Sequence, residues 1–133
     1  MANAEYSDDR TISNNAELWR RIPPKHIVYD ENRGRVRPST AAFDDHSNGS
    51  PMSVLLGEVV VGSGRTALEA LAAHQGYSLA SITAGMARQC TQAVAREPLP
   101  DEPAHGVVVG SKTDKVRKKF AYGCTWIVPP PMP

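Results

Sequence analysis

The sequence predicts a single α+β domain with a mostly antiparallel sheet and two helices. Three observations lead there. Short β-branched or aromatic runs recur along the chain, "AELWRRI", "HIVYD", "MSVLL", "HGVVVGS" and "CTWIV", separated by prolines and turn residues. Two stretches, "SGRTALEALAAHQG" and "DKVRKKFAY", carry helical spacing behind a capping residue. A chain of 133 residues with a 41% hydrophobic share suits one core.

Residues 1–15 are polar with scattered apolar side chains, so a loosely held arm is expected there, the domain proper over 16–129, and an extended proline-rich tail over 130–133. In "AELWRRI" strand alternation puts Leu18, Arg20 and Ile22 on one side and Trp19 and Arg21 on the other, and Pro23 and Pro24 end the strand. "HIVYD" is a second strand and "ENRG" a turn. Residues 35–53 read as a long loop, and Met52 to Leu56 as a short buried strand. Ser63 then caps a helix with Leu68, Leu71 and Ala72 on one face, ended by Gly76. Residues 79–89 fit either a helix stripe or strand alternation. The reading adopted is a strand, a turn near Cys90 and a further strand over 93–96. "EPLPDEP" is a loop, because three prolines in seven residues forbid a regular ladder. "HGVVVGS" is the best strand, Thr113 caps a short amphipathic helix with Val116 and Phe120 inward, and "CTWIV" closes the sheet.

Fifteen basic and fourteen acidic residues leave a net charge of +1, which gives no general argument for nucleic acid or an anionic membrane. No apolar run approaches bilayer length and the polar start lacks the build of a signal peptide, so a cytoplasmic protein is expected. Cys90 and Cys124 have no paired metal spacing and are expected to be reduced.

The chemistry concentrates in "RVRPSTAAFDDHSNGSPMSV". Arg35 and Arg37 flank Val36, so an extended chain points both guanidiniums to one side, a fork for phosphate or carboxylate. Ser39 and Thr40 add hydroxyls. The plainer alternative is that these hydroxyls cap a turn while the arginines pair with Asp44, Asp45 or Glu31. Asp44, Asp45 and His46 are consecutive and rarely converge on one centre, so no metal is expected. His105 opens a strand at a sheet end, where sites form, and Gly106 behind it permits close backbone approach. A nucleophile for it would be Cys124, Ser39 or Ser53, and an orienting acid Asp101 or Glu102, although none stands in a nucleophile elbow. Lys112, Lys115, Arg117, Lys118 and Lys119 read as the solvated face of the last helix.

The blocks "LWRRIPP", "RPSTAAF", "SPMSV", "DEPAHGVVVG" and "WIVPP" resemble, in this order, those of small uncharacterised bacterial proteins; the resemblance covers most of the chain after Ala16 and implies one domain. "LWRRI" followed by Ser39 and Thr40 also resembles the opening of the ADP-ribosyltransferase pattern of arginine, Ser-Thr-Ser and glutamate. That resemblance implies that Arg20 or Arg21 holds NAD phosphates and that Ser39 and Thr40 brace the nicotinamide pocket. The late glutamate motif is missing, since Glu97 and Glu102 sit in the proline-rich loop.

The expected function is a non-enzymatic binding or accessory module of a bacterial multi-protein system, needing no cofactor. It would contact an anionic protein partner or ligand through the 35–53 loop, with Arg35, Arg37, Ser39, Thr40, His46 and His105 as contact residues, and with self-association open. The alternative is a small nucleotide- or NAD-processing enzyme using Arg37, Ser39, Thr40 and His105. Convergence decides between them, because an enzyme needs its groups in one pocket while a binding module can spread them over a face.

Overall fold

In the computed structural model, which describes residues 6–131, the α+β expectation holds. Six strands form one antiparallel sheet: β1 (Glu17–Ile22), β4 (Met52–Leu56), β5 (Ser78–Thr83), β6 (Ala93–Arg96), β7 (His105–Val109) and β8 (Thr125–Val128), in the order β6-β7-β4-β1-β5-β8. A separate hairpin joins β2 (Ile27–Asp30) to β3 (Arg35–Pro38). The described helices are α1 (Gly57–Gly62), α2 (Ala84–Gln89) and α3 (Asp114–Gly123), one more than expected.

Both faces of the sheet are covered. Leu18, Ile22, Val54, Leu56, Ile82 and Val108 pack against α2, α3 and the 3-10 turn Thr40–Phe43, whose Phe43 meets Phe120 of α3 edge-on at 5.9 Å. Phe43 is fully buried, as the apolar "AAF" implies. On the other face Trp19, Leu55 and Leu79 pack against Val60 of α1 and Ala70 and Leu71 of the connection that follows.

Four expectations are corrected. The 35–53 segment is not a loop throughout, because Arg35–Pro38 pairs with Ile27–Asp30 as β3, and the loop proper begins after Pro38. The helix over 63–76 is absent. Ser63 ends α1 instead of starting a helix, and Gly64 (φ +86°) and Gly76 (φ +82°) turn the chain in left-handed conformations. Between them Thr66 and Glu69 exchange capping bonds, but only the 3-10 turn Glu69–Leu71 follows, and Leu68 stays exposed. The helix lies one segment earlier, in "GEVVVG", where β-branched residues speak for a strand. Tertiary contact decides there: a Cβ on Gly57 would stand 2.7 Å from the Trp19 indole, so only glycine lets the chain turn from β4 into α1 over that ring.

The ambiguous 79–89 segment is both forms in succession. β5 runs to Thr83, whose side chain accepts from the Met86 N–H and starts α2. Thr91 (φ 63°) then turns the chain into β6.

Residues 6–15 are not a loose arm; residues 1–5 of that arm, and 132–133 of the tail, lie outside the described residues. Ile12 is fully buried. The Asp9 N–H donates to the Val94 carbonyl (2.8 Å), and Asp8 accepts from the Val94 N–H and from Arg88. The segment therefore covers the edge strand β6, whose backbone groups would otherwise be open to another chain.

Ile12→Ala should lower the unfolding free energy by about 2–5 kcal/mol and Phe43→Ala by about 3–5 kcal/mol in urea titrations. A near-zero effect of Ile12→Ala would show that the N-terminal segment is not part of the cooperative unit.

Candidate functional site

β1 and β4 are neighbours at the centre of the sheet, yet they pair at only two positions, Leu18 with Leu56 and Trp19 with Leu55. β1 stays paired with β5 along its whole length, and β4 with β7 from Met52 to Leu55. Toward Ile22 and Met52 the two central strands part, and a cleft of about 380 Å³ opens there.

Parted strands leave backbone groups without ladder partners, and those groups must be met another way. Arg20 meets them. Its Nη1 donates to the Ser53 carbonyl (2.7 Å), its Nε to the Ala42 carbonyl (2.9 Å), and its Nη2 lies 3.5 Å from the Asp44 carbonyl. Burial pushes the guanidinium down to about 10, against the pull of Asp45 and Asp44, so it is a cation at neutral pH. On the opposite face of β1, Arg21 donates to the Ala70 carbonyl (2.9 Å) and reaches Glu102, which also pairs with Arg65.

The loop after β3 folds back over this cleft because its carboxylates are anchored. Asp45 accepts from the Met52 N–H (3.0 Å) and from the Lys112 ammonium (2.9 Å), which also donates to the Val108 and Gly110 carbonyls. The Lys112 side chain is only 1% exposed, so it is a buried loop anchor and not part of the solvated face of α3. Asp44 faces Arg117. With its neighbours fixed, His46 lies over β4.

Ser53 on β4 receives two imidazoles. His46 Nε2 is 2.9 Å from its Oγ and His105 Nε2 is 3.1 Å from the same atom. Register explains the second contact: Leu55 pairs with His105 and Ser53 with Val107, so alternation puts Ser53 and His105 on one face of adjacent strands. His105 Nδ1 is 2.9 Å from the Glu97 carbonyl and 3.4 Å from its carboxylate, which also accepts from the Tyr6 hydroxyl. Gly106 permits this packing, since a Cβ there would stand 2.9 Å from the Ala95 carbonyl oxygen.

His26 and His74 complete the lining, so all four histidines of the chain share the cleft. Burial lowers His26, with Lys25 and Arg20 adding to it, and burial with Arg21 lowers His74. Among the described residues no Asp or Glu lines the cleft. Among the described residues no group of three or more His, Cys, Asp or Glu is placed to hold a metal ion.

Of the six residues singled out in the sequence, the structure brings His46 and His105 together. The other four do not line the cleft. Arg35 and Arg37 do share a side of β3, but their target is the protein itself. Arg35 donates to the Cys124 carbonyl (3.4 Å), and Arg37 donates to Asp30 (2.8 Å) and lies over the Tyr122 ring. Ser39 donates its N–H to the His26 carbonyl (2.7 Å), and Thr40 opens the 3-10 turn. The set Arg37, Ser39, Thr40 and His105 is thus not gathered in one pocket, and the guanidiniums of Arg20 and Arg21 are largely committed to backbone carbonyls. Arg20 had a local signal, an arginine on the Leu18 and Ile22 face of an apolar strand. His26 and His74 had none.

No family model, no curated protein and no solved structure matches this chain.

Arg20→Ala strands the Ser53 and Ala42 carbonyls and should cost at least about 2 kcal/mol in urea titrations, with Arg20→Lys recovering part of it. Arg37→Ala should lower the denaturation midpoint and change its acid dependence. Its hydrogen bond is the leading cause that holds Asp30 below its ordinary 3.8. The stabilisation from that lowered carboxylate is present above pH 3.8 and is lost as pH falls through the lower folded value. The variant should therefore show a shallower acid loss; an unchanged midpoint and acid profile would return Arg37 to the list of ligand contacts.

Proposed function

We propose that the protein is a binding module that seats an anionic group of its partner or ligand in the cleft between β1 and β4. One observation carries this reading: the cleft is lined by Arg20, Arg21 and all four histidines, with no carboxylate among the lining residues. Glu102 behind Arg21 and Glu97 behind His105 offset part of this charge from outside the lining, and the donors that face the cleft are what a phosphate or carboxylate meets. The Ser53 hydroxyl and the imidazoles supply hydrogen bonds with defined directions, and Trp19 and Tyr77 supply apolar surface. The anionic contact expected of the 35–53 loop moves on this reading from Arg35 and Arg37 to His46 and to the strands beneath it.

Titration with inorganic phosphate, followed by NMR of the histidine rings, tests the proposal. His26, His46, His74 and His105 should shift along one common isotherm, and Arg21→Gln should weaken it. An anion beside His26 and His74 raises their lowered pKa values, so binding of sulfate, whose own charge stays constant below neutral pH, takes up protons and tightens as pH falls. Shifts confined to residues on the exposed side of α3, or sulfate affinity that weakens in acid, would sink the reading.

A further inference from the structure

The cleft does not end at Ser53. A second cavity of about 620 Å³ adjoins it, lined by Pro51, Leu99, Glu97 and their neighbours. His46, Ser53 and His105 are the residues that line both. The one hydroxyl held between two imidazoles therefore stands at the junction of two clefts.

Donor and acceptor requirements assign the protons along this row. His105 Nδ1 faces the Glu97 carbonyl at 2.9 Å, and a carbonyl only accepts, so Nδ1 carries the hydrogen. In the neutral ring Nε2 is then bare and accepts the Ser53 hydroxyl proton (3.1 Å). That proton is used once, so His46 Nε2, 2.9 Å away, must donate to Oγ. Ser53 gives its proton toward one imidazole while the other stabilises negative charge on its oxygen. The carboxylate of Glu97, 3.4 Å from His105 Nδ1, favours the imidazolium that forms when the proton moves.

We infer that Ser53 is a nucleophile, with His105 as its general base, acting on a small carboxylic ester whose acyl part carries a negative charge. That substrate class rests on the anion-binding reading above: the charged acyl part occupies the Arg21 side, on the face of β1 that Ser53 shares, and the alcohol part occupies the second cleft. Ser53 Oγ bonds to the carbonyl carbon as its proton passes to His105 Nε2. The carbonyl π electrons move onto oxygen, then re-form the double bond and expel the alkoxide, which takes the proton from His105. Water, deprotonated by His105, then attacks the acyl-serine, and Ser53 leaves with that proton. The balance is ester plus water giving acid plus alcohol. The step needs no redox partner.

A fluorophosphonate probe tests this in the whole chain. Ser53 attack forms an O–P bond, breaks the P–F bond and releases fluoride, leaving a stable adduct. One adduct per chain, mapped to Ser53 by peptide mass spectrometry, is expected. Ser53→Ala should abolish it, and His105→Ala should slow it at least about 100-fold with circular dichroism unchanged. If either variant fails to fold, the mapped adduct on the wild-type chain decides alone. No adduct on the folded wild-type protein, or an adduct elsewhere, overturns the inference. Inorganic phosphate should slow labelling of Ser53. Labelling that phosphate leaves unchanged keeps the nucleophile and removes the anion-binding reading, whereas phosphate binding without labelling does the reverse.

Discussion

The guanidinium of Arg20 bridges the gap where the central sheet comes apart. β1 and β4 begin as paired neighbours and then diverge, and a divergence at the middle of a sheet strands polar backbone that water cannot freely reach. Donating to carbonyls on β4 and on the loop above it, Arg20 joins the two sides of the split across a side chain. The result is a sheet that stays continuous in hydrogen bonding while leaving room for a ligand between its strands. Lysine carries the charge but lacks the planar fork that spans several acceptors at fixed angles.

From that gap the rest of the site follows by packing. Phe43 anchors the loop in the core against Phe120, and Lys112 anchors it through Asp45. Both anchors lie within three residues of His46. The loop thus has an exposed surface and a fixed backbone, a combination that lets it place an imidazole over Ser53 without an ordering cost at each encounter. Lys112 is a buried cation satisfied by a carboxylate and two carbonyls, which is the arrangement that makes such burial tolerable.

The N-terminal segment contributes at the opposite edge. Asp8, Asp9 and Asn14 gather on Arg88 of α2, while Asp9 extends the hydrogen bonding of β6. The Gly85 N–H donates to the Asn14 carbonyl, and a side chain at Gly85 would press on that residue at 3.1 Å. Gly85 thus leaves room for the close approach of Asn14. Tyr6 then reaches Glu97, and Glu97 orients His105, so the segment that covers the edge also supports the site.

Local chemistry alone determined much of the framework. Alternation and proline placed β1 and β7, Thr113 started α3, and "AAF" marked the buried anchor of the long loop. Pattern failed in "SGRTALEALAAHQG", whose helical spacing is met by a single 3-10 turn at Glu69–Leu71 while Ser63 closes the preceding helix, and the close approach of Gly57 to Trp19 is a contact between distant segments that no local pattern announces. The same limit applies to the site. Same-side spacing of Arg35 and Arg37 was legible, but spacing cannot say that Asp30, Tyr122 and the Cys124 carbonyl wait on that side. His26, His46, His74 and His105 are scattered over eighty positions and share no motif. Only the register of β4 on β7, the parting of β1 from β4 and the anchored loop bring them to one cleft, because convergence depends on pairing between segments far apart in the chain.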